Sequence, residues 1–246
     1  MMTTNMNTYN PVELMVVLLS REVRDNEISA CGALSHIPAA GMLLAKELHA
    51  RNAELIILNS IFNPFKTSRQ FHYLAQRGEL GLFFVSGIQI DQYANYNLHQ
   101  LGPDHAQPDV RFPGGYGGGL IYYAARRSVA FRTEHTKRSF VENVDYISAA
   151  GSSPEDTLRL GGPSKVITPK VTFMFNRKIN RLELESIHAG FTLEDIVNNT
   201  GFAVSNEHAI QTAEPSELEL YTLRNIVRQR MINTNTYAKW AENSLN

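Results

Sequence analysis

The sequence predicts an α/β protein: an open sheet with helices on its faces. Three observations predict it. The first sixty residues alternate helical and strand-like patterns. Short apolar runs, the mark of buried parallel strands, recur later in the chain. Polar clusters follow the ends of those runs, where open α/β sheets bind ligands.

The first helix is predicted from Asn10-Pro-Val-Glu13. Asn10 can cap, Pro11 takes the first helical position, and Glu13 faces the positive end of the helix dipole. Val12, Met15, Val16, Leu19 and Val23 then recur at helical spacing and mark one buried face. Asp25-Asn26 ends the helix, and Glu27 to Gly32 reads as a short strand. Pro38 to Ala50 is a second helix with Ala40, Leu43, Leu44 and Leu48 inward, and Glu54 to Asn59 is a buried parallel strand.

Gly81 to Gly87, Ser128 to Arg132, Val144 to Ser148 and Lys170 to Phe175 read as further strands. Arg181 to Ile187 alternates apolar and polar residues, which predicts a half-exposed strand near an edge. Gly151 to Pro163 is a loop by its Gly, Ser and Pro content. Thr192 caps a helix, and Pro215 to Met231 reads as the last long helix. There is no internal repeat and no dividing linker, so residues 1–246 are read as one domain. Residues 1–9 and about 232–246 are read as flexible or interface tails.

The chain has 246 residues, enough for a substantial core. A net charge of −1 gives no bulk attraction to nucleic acid or anionic membrane. A single cysteine, Cys31, excludes an intrachain disulfide framework, fits a reducing compartment and reads as a buried, inert thiol. No apolar run approaches the ~20 residues of a membrane span, and the first ten residues do not resemble a secretory signal. The cytoplasm is the expected location.

The segment Phe112-Pro-Gly-Gly-Tyr-Gly-Gly-Gly-Leu120 is the strongest candidate for binding. Such a backbone can come close to a ligand and point N–H groups at an oxyanion or phosphate. It lies between Gln89-Ile-Asp-Gln-Tyr-Ala-Asn-Tyr-Asn97 and Arg132-Thr-Glu-His-Thr-Lys-Arg138. Asn59-Ser60, Ser86 to Asp91 and Thr133 to His135 each follow an apolar run and would face one crevice if those strands lie side by side. Glu134 and His135 could move protons, with a structural ion pair as the alternative for the carboxylate.

Several familiar chemistries are excluded. There is no P-loop, no Gly-x-Gly-x-x-Gly after a first strand and no Gly-x-Ser-x-Gly elbow. His135, His188 and His208 are too scattered for a metal site, and no permanently bound cofactor is expected.

In order, these pieces resemble the β subunit of the family I CoA-transferases, with glutaconate CoA-transferase the nearest type and 3-oxoadipate CoA-transferases related. Six segments carry the likeness. Gly32 to Ala45 resembles the early glycine loop and its helix. Ser86-Gly-Ile-Gln-Ile-Asp-Gln-Tyr-Ala-Asn-Tyr-Asn97 resembles the signature Gly-Ala-Gln-Ile-Asp-x-Tyr-Gly-Asn-x-Asn. Arg111-Phe-Pro-Gly-Gly-Tyr-Gly-Gly118 resembles Arg-Phe-x-Gly-x-Gly-Gly. Lys137 to Asp145, Ser186 to Gly190 and Asn199 to Phe202 also fit.

The resemblance implies an open mixed sheet of the CoA-transferase (NagB/RpiA-like) fold. It also implies an α-subunit partner in an α2β2 or larger assembly, with coenzyme A present as part of an acyl thioester substrate. The family's β-chain glutamate follows the strand matching Glu54 to Leu58, in a Glu-Ser-Gly context. This chain has Asn59-Ser60-Ile61 there. An asparagine amide cannot form the family's anhydride and glutamyl-CoA intermediates. Ala94 also replaces the signature's glycine.

Relatives with other cycles, a decarboxylase of a glutaconyl-type CoA ester and a hydrolase that opens a steroid-ring CoA ester, lead to the first reading. In it, the subunit works on a thioester by decarboxylation, C–C cleavage or formation, or hydrolysis. Gly115, Gly117 and Gly118 would supply backbone amides, with Gly114 and Tyr116 in the same loop. Gln89, Asp91, Asn95 and Asn97 would shape the site. Asn59, Ser60, Glu134 and His135 would serve the chemistry. Two alternatives stand beside it: a non-catalytic scaffold for an active α chain, and a true transferase that uses a partner's carboxylate.

Overall fold

The computed structural model describes residues 8–204 and 209–245. His208 and residues 1–7 of the predicted amino-terminal tail lie outside the described residues. The chain forms two compact units, Met1–Pro64 with Ala213–Asn246, and Phe65–Thr212.

The first unit begins with α1 (Pro11–Ser20), β1 (Ile28–Cys31), α2 (His36–Leu48) and β2 (Glu54–Ile57). The predicted cap on α1 is a complete reciprocal pair. Asn10 Oδ1 accepts from Glu13 N–H at 2.9 Å, and the Glu13 carboxylate accepts from Asn10 N–H at 3.0 Å. The periodicity indicated one buried face, but every residue from Glu13 to Ser20 is buried. The reason is close packing on α2, where a side chain on Gly41 would lie 3.0 Å from the Val16 carbonyl oxygen. β1 and β2 pair in parallel, Ala30 opposite Ile56 and Cys31 opposite Ile57.

The second unit contains α3 (Ser68–Gln76), β3 (Leu80–Val85), β4 (Gln89–Ile90), β5 (Tyr96–Asn97), β6 (Gln100–Leu101), β7 (Val110–Arg111) and α4 (Gly118–Ala124). It continues with β8 (Arg127–Phe131), β9 (Pro163–Ile167), β10 (Val171–Asn176), β11 (Arg181–Ile187), α5 (Leu193–Asn199) and β12 (Ile210–Gln211). Six strands run in the order β12-β11-β10-β9-β8-β3. The sheet is mixed: β3, β8 and β9 are parallel neighbours, while β10 is antiparallel to both β9 and β11. All of β3 is buried, as its unbroken apolar run requires. β11 alternates, and only the two-residue β12 lies beyond it.

One predicted strand is absent. Val144 to Ser148 runs as bends, with only Ala149 bridging to Tyr96. Side chains take the place of ladder bonds there: the Asp145 carboxylate accepts from Gly102 N–H at 2.9 Å and from the Gln89 amide at 3.1 Å.

The first unit closes with α6 (Glu217–Tyr221), a π-helical stretch (Thr222–Val227), α7 (Arg228–Asn233) and α8 (Ala238–Ser244). The predicted last helix, read from Pro215, is helical from Glu217 onward and widened at its centre. Arg224 on that stretch pairs with the buried Glu13 at 2.6 Å. Residues beyond 231, read as a tail, include α8, with Ala241 and Leu245 fully buried. Among the described residues, no helix is long and apolar enough to cross a membrane.

Candidate functional site

Candidate residues fall in both units. In the first, Asn59 follows β2 with φ 61°. That left-handed conformation is tolerated by asparagine and strained for most side chains. Ser60 closes the turn: its Oγ donates to Ile57 O at 2.8 Å and accepts from Phe62 N–H at 3.1 Å. Both residues line an open cleft of about 780 Å³ with His36 and the 235–244 segment, including Tyr237, Lys239 and Trp240. Tyr237 ties that segment to the glycine loop before α2 by donating to Ala33 O at 2.8 Å. Its ring meets His36 edge-on at 4.5 Å, and His36 stacks on Trp240 at 5.7 Å. Burial pushes the His36 pKa down and the Tyr237 pKa up to about 12. Cys31 is fully buried, and burial raises its pKa, so the thiol is inert as expected.

In the second unit the Gln-Ile-Asp segment builds a hairpin from inside. Asp91 is 1% exposed. Its Oδ1 accepts from Tyr93 N–H at 2.9 Å and Asn95 N–H at 3.1 Å, and its Oδ2 accepts from Asn95 Nδ2 at 3.0 Å. Burial raises the Asp91 pKa against the pull of those hydrogen bonds. Asn95 Oδ1 accepts from Gly151 N–H. Asn97 donates to Gln89 Oε1 at 2.8 Å, and Gln89 donates on to Asp145. These four residues shape the hairpin with their polar atoms turned inward.

The glycine loop is shaped by what packs on it. Gly117 has φ 81°, and a Cβ there would lie 2.4 Å from His72 Nε2. A Cβ on Gly118 would lie 2.8 Å from the Tyr96 hydroxyl, and Gly114 faces His99 Nε2. Tyr116, at φ 48°, is 84% exposed at the tip. Gly118 was expected to offer its N–H to a ligand, but it donates to Gly115 O at 2.6 Å and closes the turn. The N–H groups of Gly115 and Gly117 have no backbone acceptor among the described residues.

Glu134 and His135 part company. Glu134 accepts from Ser139 Oγ, from Arg132 at 2.6 Å and from Arg138 at 3.3 Å. The Ser139 bond and then the Arg132 guanidinium hold its pKa down, so it stays a carboxylate. His135 is 2% exposed and stacks on Phe140 at 4.3 Å. Thr200 Oγ1 gives its own proton to Ile196 O, so His135 Nε2–H donates to it at 2.9 Å. Burial, then Lys170, lowers the His135 pKa to about 3. Its ring is a neutral core group, which corrects the expectation of a proton carrier.

The ends of β3 and β8 lie side by side, so Ser86 and Thr133 follow neighbouring strands as anticipated. Glu134 and the glycine loop are nevertheless apart. Ile90 of β4 bonds to Ser139 and Val141 on one side, and Tyr96 of β5 bonds to Ser148 and Ala149 on the other. Glu134 is tied to Ser139, while Gly119 abuts the Ser148 carbonyl. Three strand spacings, about 14 Å, separate those edges. The residue the sequence reading missed is His99, which packs along Gly114 and Gly115. Its position two after the Gln-Ile-Asp motif was the available signal.

Comparison with known proteins places this architecture. The coenzyme A transferase family model matches residues 4–199, and the chain belongs to that family. The chain is 25% identical to the β chain of glutaconate CoA-transferase from Acidaminococcus fermentans, over 88% of this chain and 91% of that one. It is 30% identical to the IpdB chain of the cholesterol ring-cleaving hydrolase of Mycobacterium tuberculosis, over 56% of this chain and 57% of that one. The fold matches the crystal structure of Rhodococcus jostii RHA1 IpdAB with a TM-score of 0.79 at 19% identity, over 97% of this chain and 99% of that one.

Proposed function

We propose that this chain is the β-type subunit of a heteromeric enzyme that acts on an acyl-CoA, or related acyl thioester, without a glutamyl-CoA intermediate. The observation that carries the reading is the cleft at Asn59. None of the eleven residues lining it is an aspartate or glutamate, which supports a cycle without that intermediate. The N–H groups of Gly115 and Gly117, without a backbone acceptor among the described residues, support it separately, because an oxyanion or enolate oxygen needs preorganised donors. Hydrolysis, decarboxylation and C–C cleavage or formation all build charge on that oxygen. Coenzyme A is part of the substrate, and the partner is an α-type subunit of the same family, as the named relatives are subunits of such enzymes. Ionised Glu134 serves here as an anchor for Arg132 and Ser139.

The glutaconate CoA-transferase likeness favours a second reading, a transferase whose carboxylate comes from the partner. Hydroxylamine trapping during incubation with a panel of acyl-CoA thioesters separates the two. Turnover with no hydroxamate on any glutamate supports the first reading. A glutamyl hydroxamate on the partner supports the second, and one on this chain defeats both.

A further inference from the structure

Ser148 and His99 form a hydrogen-bonded pair beside the glycine loop. Ser148 Oγ and His99 Nδ1 are 2.5 Å apart, within the reach of a nucleophile and its base. Leu98 N–H donates to Ser148 Oγ at 2.7 Å, so the serine hydrogen is free to point at Nδ1. The same N–H would steady charge on Oγ as that hydrogen leaves.

The backbone of His99 is fixed at two points, and its ring packs on Tyr146. His99 N–H donates to Asn97 Oδ1 at 3.0 Å, His99 O accepts from Phe112 N–H at 2.8 Å, and the Tyr146 ring lies 4.8 Å away. The far side of the imidazole runs along Gly114 and Gly115, where a Cβ would lie 3.2 and 3.4 Å from the ring. The Ser148 carbonyl abuts Gly119. Nucleophile and base therefore lie beside Gly114, Gly115 and Gly119 of the loop, within the second unit. Both residues are part-buried.

We infer that Ser148 and His99 are a catalytic dyad that hydrolyses a thioester. The inference rests on the thioester reading above and deepens it to one reaction. Ser148 Oγ bonds to the acyl carbon while its proton passes to His99 Nδ1. The C–S bond then breaks, and the thiolate takes that proton and leaves as a thiol. Water adds to the acyl-serine carbon, giving one proton to His99. The Oγ–C bond breaks, Oγ recovers the proton, and the carboxylic acid departs. Gly115 and Gly117 hold the oxyanion in both steps.

The pair lies wholly within this chain, and the test reads adducts on this chain in the complex co-purified with its partner. Incubation with a fluorophosphonate and peptide mass spectrometry should find one adduct, on Ser148. His99→Gln should slow that labelling about 100-fold, the lower range for loss of a general base. Ser148→Cys covers the case in which loss of the hydroxyl disturbs the fold. The introduced thiol should react with iodoacetamide, against a low background from the fully buried Cys31, and His99→Gln should slow it too. No adduct on Ser148 in the folded protein, or labelling indifferent to His99→Gln, overturns the dyad. Acyl-CoA turnover that survives Ser148→Ala overturns the dyad and leaves the thioester reading in place. A glutamyl hydroxamate on this chain defeats that wider reading whatever Ser148 does.

Discussion

Tyr122 donates its hydroxyl hydrogen to the Ala94 carbonyl at 2.8 Å, with both residues 1% exposed. Ala94 sits at φ 57°, the left-handed conformation that the family signature's glycine suits. Ala94→Gly should stabilise the chain by about 1 kcal/mol by relieving the Cβ. Tyr122→Phe should cost about 1–3 kcal/mol by leaving a buried carbonyl without a donor. Urea unfolding of the two variants checks both signs.

Two neutral buried histidines make stability fall in acid. Burial lowers His135 to about 3 and His188 to about 4. Their folded pKa values lie below the unfolded value of about 6.5, so the unfolded chain takes up the protons first. The stability they allow is complete above about pH 6.5 and drains as pH falls toward 4. Each should remove about 1–2 kcal/mol between pH 7 and pH 5. Unfolding midpoints at the two pH values should differ less in His135→Gln than in the parent chain.

The fold was legible where local chemistry and burial agree. The Asn10 cap, the Thr192 cap and the buried β3 run are local signals that the structure keeps. Val144 to Ser148 misled because its Val, Tyr and Ile favour a strand while Asp145 and Ser148 spend their side chains on Gln89, Gly102 and Leu98. The same limit applies to the site. Asp91 and Asn97 read equally well as ligand groups or as hairpin anchors until their partners are seen. His135 stood beside Glu134 in sequence, but one side chain is buried and the other is partly exposed in an ion pair with Arg132. The pairing of Ser148 with His99, 49 residues apart, has no local signature at all.

Gly117 is held by shape as well as by any ligand. Its φ of 81° and the 2.4 Å gap to His72 should make Gly117→Ala lose at least about 1–2 kcal/mol. Adding His72→Ala removes the steric part and leaves the backbone strain. Thermal melts should therefore show the double variant recovering part of the loss, more than the sum of the single changes allows.

Asn59 tolerates its backbone angle better than the family's glutamate would. Asn59→Gly should be near neutral or mildly stabilising, while Asn59→Glu should cost about 1 kcal/mol at φ 61°. Denaturant midpoints of the pair give the comparison, with no substrate needed.

The central claim is that thioester chemistry proceeds here without a covalent acyl or CoA group on a glutamate of this chain. Intact-protein mass spectrometry after incubation with acyl-CoA thioesters, in the presence of the co-purified partner, tests it most directly. The account predicts turnover with no CoA added to any glutamate of the parent chain. A glutamyl-CoA thioester on this chain would contradict it.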